Sequence, residues 1–202
     1  MFYLAIAYFS GSGKTHLMAE AIAEGAREIR GVKVELLRII EQQIVNGVWQ
    51  DPEMLEKLNQ ADAIVFGSPT YMGGVAGQFK LFIDGASEGW LRQAWKDKIA
   101  AGFTHGSCPN GDQQSTLIAL AINAAQHGMI WVSGGELPSQ FVGKEDGVNR
   151  LGSFLGVMGQ GTDPSTGEDI IDLNPGDRLT AIRFGKRIAE ISQRWSGNHG
   201  YH

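Results

Sequence analysis

The stretch Ser10-Gly-Ser-Gly-Lys-Thr15 follows an apolar run, Phe2 to Phe9, and precedes a segment with helical spacing of apolar residues from Lys14 to Ile29. This order predicts a buried strand, a tight turn and an amphipathic helix in succession. Free backbone N–H groups and the positive end of the helix dipole meet at the start of such a helix. The sequence therefore predicts a phosphate-binding turn here.

Two patterns compete for this turn. Gly13-Lys14-Thr15 matches the end of the triphosphate-binding pattern G-x-x-x-x-G-K-[ST], but Tyr8 stands where that pattern needs its first glycine. The apolar run Ala63 to Phe66 is followed by Gly-Ser-Pro, without an aspartate for Mg²⁺, which weakens a kinase or ATPase hypothesis. The pattern [ST]-x-[ST]-G-x-T instead holds one phosphate with hydroxyls and amides, so no metal site is expected. A glycine-rich turn without a ligand is the remaining alternative.

The composition limits the class of protein. The chain has 202 residues, a net charge of −5 and a single cysteine, Cys108, so it lacks a basic surface for nucleic acid and has no internal disulfide. No apolar run approaches the roughly 20 residues of a membrane span, and no signal peptide is evident. We predict a cytoplasmic protein with one domain over residues 1–195 and a disordered tail over 196–202.

Continuous apolar runs alternate with helical periodicity, which is typical of a parallel sheet covered on both faces. The predicted strands are 2–9, 32–38, 63–67, 99–104 and 129–132. The predicted helices are 14–29, 51–60, 77–86, 113–126 and 177–195. This pattern predicts an α/β protein of three layers, α/β/α, with a doubly wound five-stranded parallel sheet of order 2-1-3-4-5. Residues 133–176 form an irregular insertion before the last helix.

In a doubly wound sheet, ligands bind at the carboxyl ends of the strands, so the loops after strands one, three and four should meet. The second of these loops, Ser68 to Gly77, combines a proline, a tyrosine and several glycines. Tyr71 could lie along a flat ring, and the glycines let the backbone approach it. The third loop, Thr104 to Asp112, is small and polar.

The second loop carries a resemblance to a known family. Gly67 to Gln78 resembles the pattern G-[ST]-P-T-[RY]-[FM]-G-x-x-[SA]-G-Q of the WrbA-type NAD(P)H:quinone oxidoreductases and NADPH-dependent FMN reductases, which are flavodoxin-like FMN proteins. Phe82-Ile83-Asp84, Trp90 and His127-Gly128-Met129 resemble further motifs of this family. The resemblance covers residues 2 to about 133 and implies a flavodoxin-like fold.

The resemblance also implies site residues. Those that would bind the FMN phosphate are Ser10, Ser12, Gly13, Lys14 and Thr15. Those that would contact the isoalloxazine ring are Pro69, Thr70, Tyr71, Met72 and Gly73. Those that would line its pyrimidine side are Thr104, His105 and Gly106, in a loop that departs from the family pattern. The implied catalytic residues are His127, Trp90 and Tyr71, with Trp90 possible from a neighbouring subunit. Helix capping by His127 and ordinary packing of Trp90 are alternatives.

The implied reaction is a two-electron transfer from NAD(P)H through FMN to a quinone or similar acceptor by a ping-pong mechanism, in a homodimer or homotetramer. A flavodoxin-type FMN electron carrier without NAD(P)H activity is the first alternative. The third loop carries one acid, Asp112, and the net charge is moderate, which favours the enzyme because it must stabilise an anionic reduced flavin. A scaffold that has lost its cofactor is a further alternative.

Overall fold

A parallel sheet with helices on both faces organises the chain. The computed structural model describes residues 1–161 and 172–197. Its strands are β1 (Phe2–Phe9), β2 (Val32–Ile39), β3 (Ile44–Val45), β4 (Val48–Trp49), β5 (Ala63–Tyr71), β6 (Gly74–Val75), β7 (Ile99–Gly106), β8 (Ile130–Trp131) and β9 (Val157–Gln160). Its helices are α1 (Lys14–Arg27), α2 (Pro52–Gln60), α3 (Gly77–Gly85), α4 (Ser87–Leu91), α5 (Gln113–Gln126) and α6 (Pro175–Gly197).

The strand order β2-β1-β5-β7-β8 confirms the predicted doubly wound sheet of order 2-1-3-4-5. One apolar core lies between the sheet and α1 and α6, around Ile6, Met18 and Phe184. The other core lies on the opposite face and includes Phe66 and Phe79. The strands of a parallel sheet read as continuous apolar runs because both faces are buried, which explains why their sequence signal is strong.

The fifth strand of the sheet is split in two. β8 pairs with the amino end of β7, where Ile99 lies opposite Ile130, and β9 pairs with the carboxyl end, where His105 lies opposite Gly159. The prediction of an irregular segment throughout 133–176 is therefore wrong at β9. β9 has only four residues and is flanked by glycines, so it is too short to show a strand pattern in the sequence. Pairing with β7 holds these residues extended. Residues 162–171 of that segment lie outside the described residues.

Two strands extend further than predicted, and this brings site residues into the sheet. β5 continues to Tyr71 because the short hairpin with β6 pairs with its end, and β7 continues to Gly106 because β9 pairs with it. The hairpin of β3 and β4 and the short helix α4 were not predicted. Asp51 is the N-cap of α2, since its Oδ1 accepts a hydrogen bond from Met54 N at 2.9 Å.

The helix α6 ends two residues later than the predicted domain boundary, so the prediction of a disordered tail is wrong at 196 and 197. The rest of that tail, 198–202, lies outside the described residues. Within residues 1–161 and 172–197, none of the helices has both the length and the apolar character needed to cross a membrane. The cytoplasmic location stays a prediction.

Helices α1 and α6 cross with their backbones in contact. A Cβ added at Gly25 of α1 would overlap the carbonyl oxygen of Ile182, and one added at Gly185 of α6 would overlap that of Ile22. The absence of side chains at these two glycines is what allows the close approach. Because α1 begins at the turn after β1, this crossing fixes the position of that turn relative to the sheet.

Candidate functional site

A cavity of about 400 Å³ opens at the carboxyl edge of the sheet, where the ends of β1, β5, β7 and β9 meet. Its lining residues are Ser12, Lys14, Thr15, Pro69, Thr70, Tyr71, His105, Gly106, Ser107 and Gly161. Eight of these were predicted from the sequence. The sequence prediction missed Ser107 and Gly161, and the latter follows the strand that carried no sequence signal.

The turn after β1 presents the start of α1 to this cavity. Gly13 occupies the N-cap position with φ 92°, a left-handed conformation that favours glycine, and it provides no side chain to cap the helix. Ser10 is buried and faces the protein: its Oγ accepts a hydrogen bond from His16 N at 3.1 Å, and its carbonyl oxygen accepts one from Arg38 Nη2 at 2.9 Å. Ser10 therefore shapes the turn, while Ser12 and Thr15 line the cavity.

Lys14 spans the cavity from α1 to the end of β9. Its Nζ donates a hydrogen bond to the carbonyl oxygen of Gly161 at 3.0 Å. The backbone N of Gly161 in turn donates to the carbonyl oxygen of Gly106 at 2.8 Å. These contacts join three loops of the cavity wall and place a cation on it.

The tip of the β5–β6 hairpin carries exposed apolar side chains at the rim. Tyr71 is 46% exposed, and its hydroxyl approaches Gly11 so closely that a Cβ there would overlap it. Met72 is fully exposed, and both Met72 and Gly73 have positive φ values, as the tight turn requires. A side chain exposed beside a cavity can cover a flat ligand without first losing core contacts.

A chain of buried hydroxyls lies behind the hairpin. Thr70 Oγ1 is 2.8 Å from Thr104 Oγ1 and 2.8 Å from Thr116 Oγ1. Thr104 is fully buried, so its side chain supports the cavity wall and does not line it. This contact gives a structural reason for threonine at positions 70 and 104, both of which the sequence assigned to ligand contacts.

His105 is the most unusual group of the cavity. Its side chain is 6% exposed, and its Nε2 has no hydrogen-bond partner among the described residues. The ring packs against β9, where a Cβ at Gly159 would lie 2.7 Å from Cδ2 and one at Gly161 would lie 2.6 Å from Cε1. Burial, with a smaller contribution from the Lys14 cation, lowers the pKa of His105 to about 4. The imidazole is therefore neutral at neutral pH.

This pKa predicts acid sensitivity of the chain without a bound ligand. Between pH 6.5 and about 4 the unfolded chain binds a proton at His105 that the folded chain does not, so stability is complete above pH 6.5 and falls as the pH decreases. We expect a loss of about 3 kcal/mol in the free energy of unfolding from this group. Urea titrations across this pH range should show a smaller loss in His105→Gln. Equal pH slopes in the wild type and in His105→Gln would contradict the prediction.

His127 and Trp90 are not brought to the cavity of their own chain. His127 precedes β8, which pairs with the amino end of β7 at Ile99. His105 lies on β7 six residues after Ile99, which corresponds to roughly 20 Å along the strand. His127 is buried and stacks on Trp95 with ring centroids 4.2 Å apart. Burial lowers the pKa of His127, so a neutral ring ends α5. Their catalytic roles stay predictions that the geometry of a single chain does not support.

A buried ion pair fastens the end of β9. Arg150 donates from Nε and Nη2 to the two carboxylate oxygens of Asp177, both at 2.8 Å, and the backbone N of Gln160 donates to Oδ2 at 3.0 Å. Asp177 is 2% exposed; burial raises the pKa of its carboxyl, and Arg150 opposes this rise. The pair thus holds Gln160, the residue before Gly161. Arg150 belongs to the segment that the sequence analysis predicted to be irregular.

Asp177→Asn should loosen this part of the cavity. The amide loses one charge-assisted bond to Arg150, so we expect the free energy of unfolding to fall by about 2 kcal/mol. The affinity for a ligand of this cavity should fall severalfold, because Gln160, the residue before Gly161, is held less firmly when Asp177 loses its charge. Asp84→Asn, which removes an exposed ion pair with Lys80, should change stability by less than about 0.5 kcal/mol. Equal effects of the two variants, measured by urea denaturation, would show that the buried pair has no special role.

The lining is suited to a mononucleotide. Among the residues that the structure describes, none of the ten that line the cavity is acidic, and a lysine lies beside a helix start whose N-cap residue, Gly13, has no side chain, which suits a dianionic phosphate. The unpartnered Nε2 of His105 and the exposed Tyr71 offer a polar and an aromatic contact on the remaining walls. Fold and cavity together define a doubly wound α/β protein with a mononucleotide site at the switch point of its sheet.

Comparison with known proteins specifies this class. Residues 4–143 match the family described as NADPH-dependent FMN reductase. The chain is 37% identical over 191 residues to flavodoxin FldP of Pseudomonas aeruginosa, covering 94% of this chain and 96% of the relative. It is 32% identical over 203 residues to an NAD(P)H dehydrogenase (quinone) of Geotalea uraniireducens, covering 94% and 97%. A crystal structure of a WrbA-like flavodoxin from Agrobacterium tumefaciens is similar with a TM-score of 0.74 and 34% identity, covering 96% and 99%.

The chain belongs to the NADPH-dependent FMN reductase family, within the flavodoxin-like FMN proteins that the sequence motifs indicated. It is an oxidoreductase of this family, and FMN is the flavin that the family and the fold assign to it. The predicted class and flavin are thereby confirmed, whereas the individual contacts to FMN stay predictions.

Proposed function

We propose that this chain transfers two electrons from NAD(P)H to a quinone or similar acceptor by a ping-pong mechanism, with FMN held in the cavity at the carboxyl edge. The observation that supports this most is that none of the ten residues lining the cavity within the described ranges, 1–161 and 172–197, is acidic, while Lys14 lies on its wall. Bound FMN supplies the chemistry, since it accepts electrons in a pair and passes them on. A non-acidic lining stabilises the negative charge of the reduced flavin.

Different residues of the cavity hold different parts of the flavin. The start of α1, with the hydroxyls of Ser12 and Thr15, binds the phosphate monoester. Tyr71 and Met72 at the hairpin tip cover the ring and exclude water from one of its faces. The backbone around Gly106 borders the polar edge of the ring. Positioning of the ring plane is the main contribution of such a site to electron transfer from a stacked nicotinamide.

A flavodoxin-type electron carrier is the second candidate, and one observation favours it: the relative with 37% identity is named a flavodoxin. The two candidates differ in their response to NADPH. Anaerobic mixing of the FMN-loaded protein with NADPH should bleach the flavin absorbance promptly, and a quinone added afterwards should restore it. Initial rates at several quinone concentrations should give parallel double-reciprocal lines. No bleaching without a separate reductase would favour the carrier, and intersecting lines would contradict the ping-pong order.

We also propose that the chain forms a homodimer or homotetramer in which Trp90 contacts another subunit. The support is a set of exposed apolar side chains on α4 and α5: Trp90 is 45% exposed, and Leu91, Ile118 and Ile122 are also exposed. Sedimentation analysis should therefore give a mass of two or four chains. A fully active monomer of 21.9 kDa would contradict this proposal.

A further inference from the structure

The imidazole of His105 lies beside the lysine of the phosphate-binding turn. A Cβ built at Gly161 would lie 2.6 Å from His105 Cε1 and 3.3 Å from Lys14 Nζ. Both side chains therefore border the space that the missing side chain of Gly161 leaves open. The ring also packs beside Met18, which lies one turn beyond Lys14 on α1. The family resemblance implied that His105 lines the pyrimidine side of the flavin. Its side chain is placed instead at the α1 end of the cavity.

The polar atom at this end lacks a partner. His105 is 94% buried, and Nε2 forms no hydrogen bond within residues 1–161 and 172–197, although the residue lines the cavity. An unsatisfied buried polar atom costs on the order of 1–3 kcal/mol, so it is a candidate for a bond that a ligand completes. Glycines at 159 and 161 create the space for the ring, since any larger residue there would displace it.

We propose that His105 is a ligand of the phosphate monoester of bound FMN and takes up a proton when that phosphate binds. The proposal rests on the proposed placement of FMN in this cavity. A protonated Nε2 would donate a charge-assisted hydrogen bond to the dianion, next to Lys14. The phosphate would thus be recognised by a group from β7 in addition to the turn after β1.

The charges around His105 explain why the proton arrives only with the ligand. Lys14 is the charged group that faces the ring from α1, and it disfavours a second cation. β9 faces the ring with glycines, and the carboxylate behind it, Asp177, is already paired with Arg150. Without ligand, burial and Lys14 keep the pKa of His105 at about 4. A dianion between Lys14 and the ring reverses the sign of the local potential and raises this pKa.

Proton uptake can be measured directly on the full chain freed of flavin. Calorimetric titrations with FMN at pH 7, in buffers of different ionisation enthalpy, should show net proton uptake. Riboflavin, which lacks the phosphate, should bind without it. This comparison uses wild-type protein only, so it does not depend on the folding of a variant.

Two variants, His105→Gln and His16→Gln, test whether the proton is taken up by His105. His105→Gln keeps a polar side chain and should bind FMN about tenfold more weakly at pH 6, with a smaller deficit at pH 8 and no net uptake. Its affinity for riboflavin should be unchanged. His16→Gln removes a partly exposed imidazole that contacts Tyr8 and should retain the uptake. The free phosphate of FMN, whose second pKa is about 6, has the same protonation state for every chain at a given pH. Its own titration therefore cancels when two chains are compared at one pH.

The outcomes separate this inference from the proposed function. FMN binding with the same proton balance as riboflavin, or uptake that persists in His105→Gln, would overturn the inference and leave the FMN site intact. Uptake that occurs only when the bound flavin is reduced would assign the effect to the ring and would also overturn it. Failure of FMN to bind at all would instead contradict the proposed function.

Discussion

Gly185→Ala is expected to lower the free energy of unfolding by about 4 kcal/mol. The added Cβ would overlap the backbone carbonyl of Ile22, which cannot rotate away as a side chain could. Overpacking costs about 1–3 kcal/mol where side chains can adjust, and a backbone clash exceeds that range. Urea denaturation of the flavin-free chain measures the loss.

Two further variants make this prediction specific. Gly25→Ala places the same methyl group on the other side of the crossing and should cost a similar amount. Both clashes are relieved by the same separation of α1 from α6, so the double variant should lose less than the sum of the two. Gly89→Ala in α4, whose nearest neighbours would lie 3.9 and 4.0 Å from the Cβ, should be neutral or slightly stabilising. A loss below about 1 kcal/mol in Gly185→Ala would show that the helices are free to separate.

Ser12→Asp should lower the affinity for FMN by about a hundredfold or more. Ser12 lines the cavity at the turn before α1, so a carboxylate there would face the phosphate dianion across a few ångströms. At an effective dielectric constant of about 20, this repulsion is worth about 3 kcal/mol or more, which corresponds to the predicted hundredfold. Fluorescence titration with FMN measures the loss.

Riboflavin and a neutral variant provide the controls for Ser12→Asp. Riboflavin carries no phosphate, so its affinity should change far less. Ser12→Ala removes one hydroxyl without adding charge and should cost less than about tenfold. Equal losses for FMN and riboflavin would indicate that the substitution disturbs the fold of the turn rather than the charge of a phosphate site.

Much of the fold was predictable because buried parallel strands and amphipathic helices leave strong local patterns. The helix Gln113 to Gln126 and the strand Phe2 to Phe9 have the predicted bounds. The missed strand β9 shows the limit of this reasoning. Val157 to Gln160 is extended only because Phe103 to Gly106 lies beside it, and no pattern within four residues encodes a partner that distant.

The site was predictable to the extent that topology determines it. The loops after β1, β5 and β7 meet because the carboxyl ends of parallel strands share one edge, which brought Ser12 and Tyr71 to one cavity. Side-chain direction was not predictable in the same way. Ser10 points into the protein, and Thr104 bonds to Thr70. His127 matched a family motif, yet its strand begins at the opposite edge of the sheet.

The proposed function requires that FMN occupies the cavity at the carboxyl edge with its phosphate at the start of α1. A crystal structure of the full chain with FMN tests this directly. We predict density for the phosphate within hydrogen-bond distance of the backbone N–H groups at Gly13 to Thr15, with Tyr71 against the ring. Flavin bound elsewhere, or a cavity that takes ATP and magnesium and leaves FMN in solution, would contradict the account.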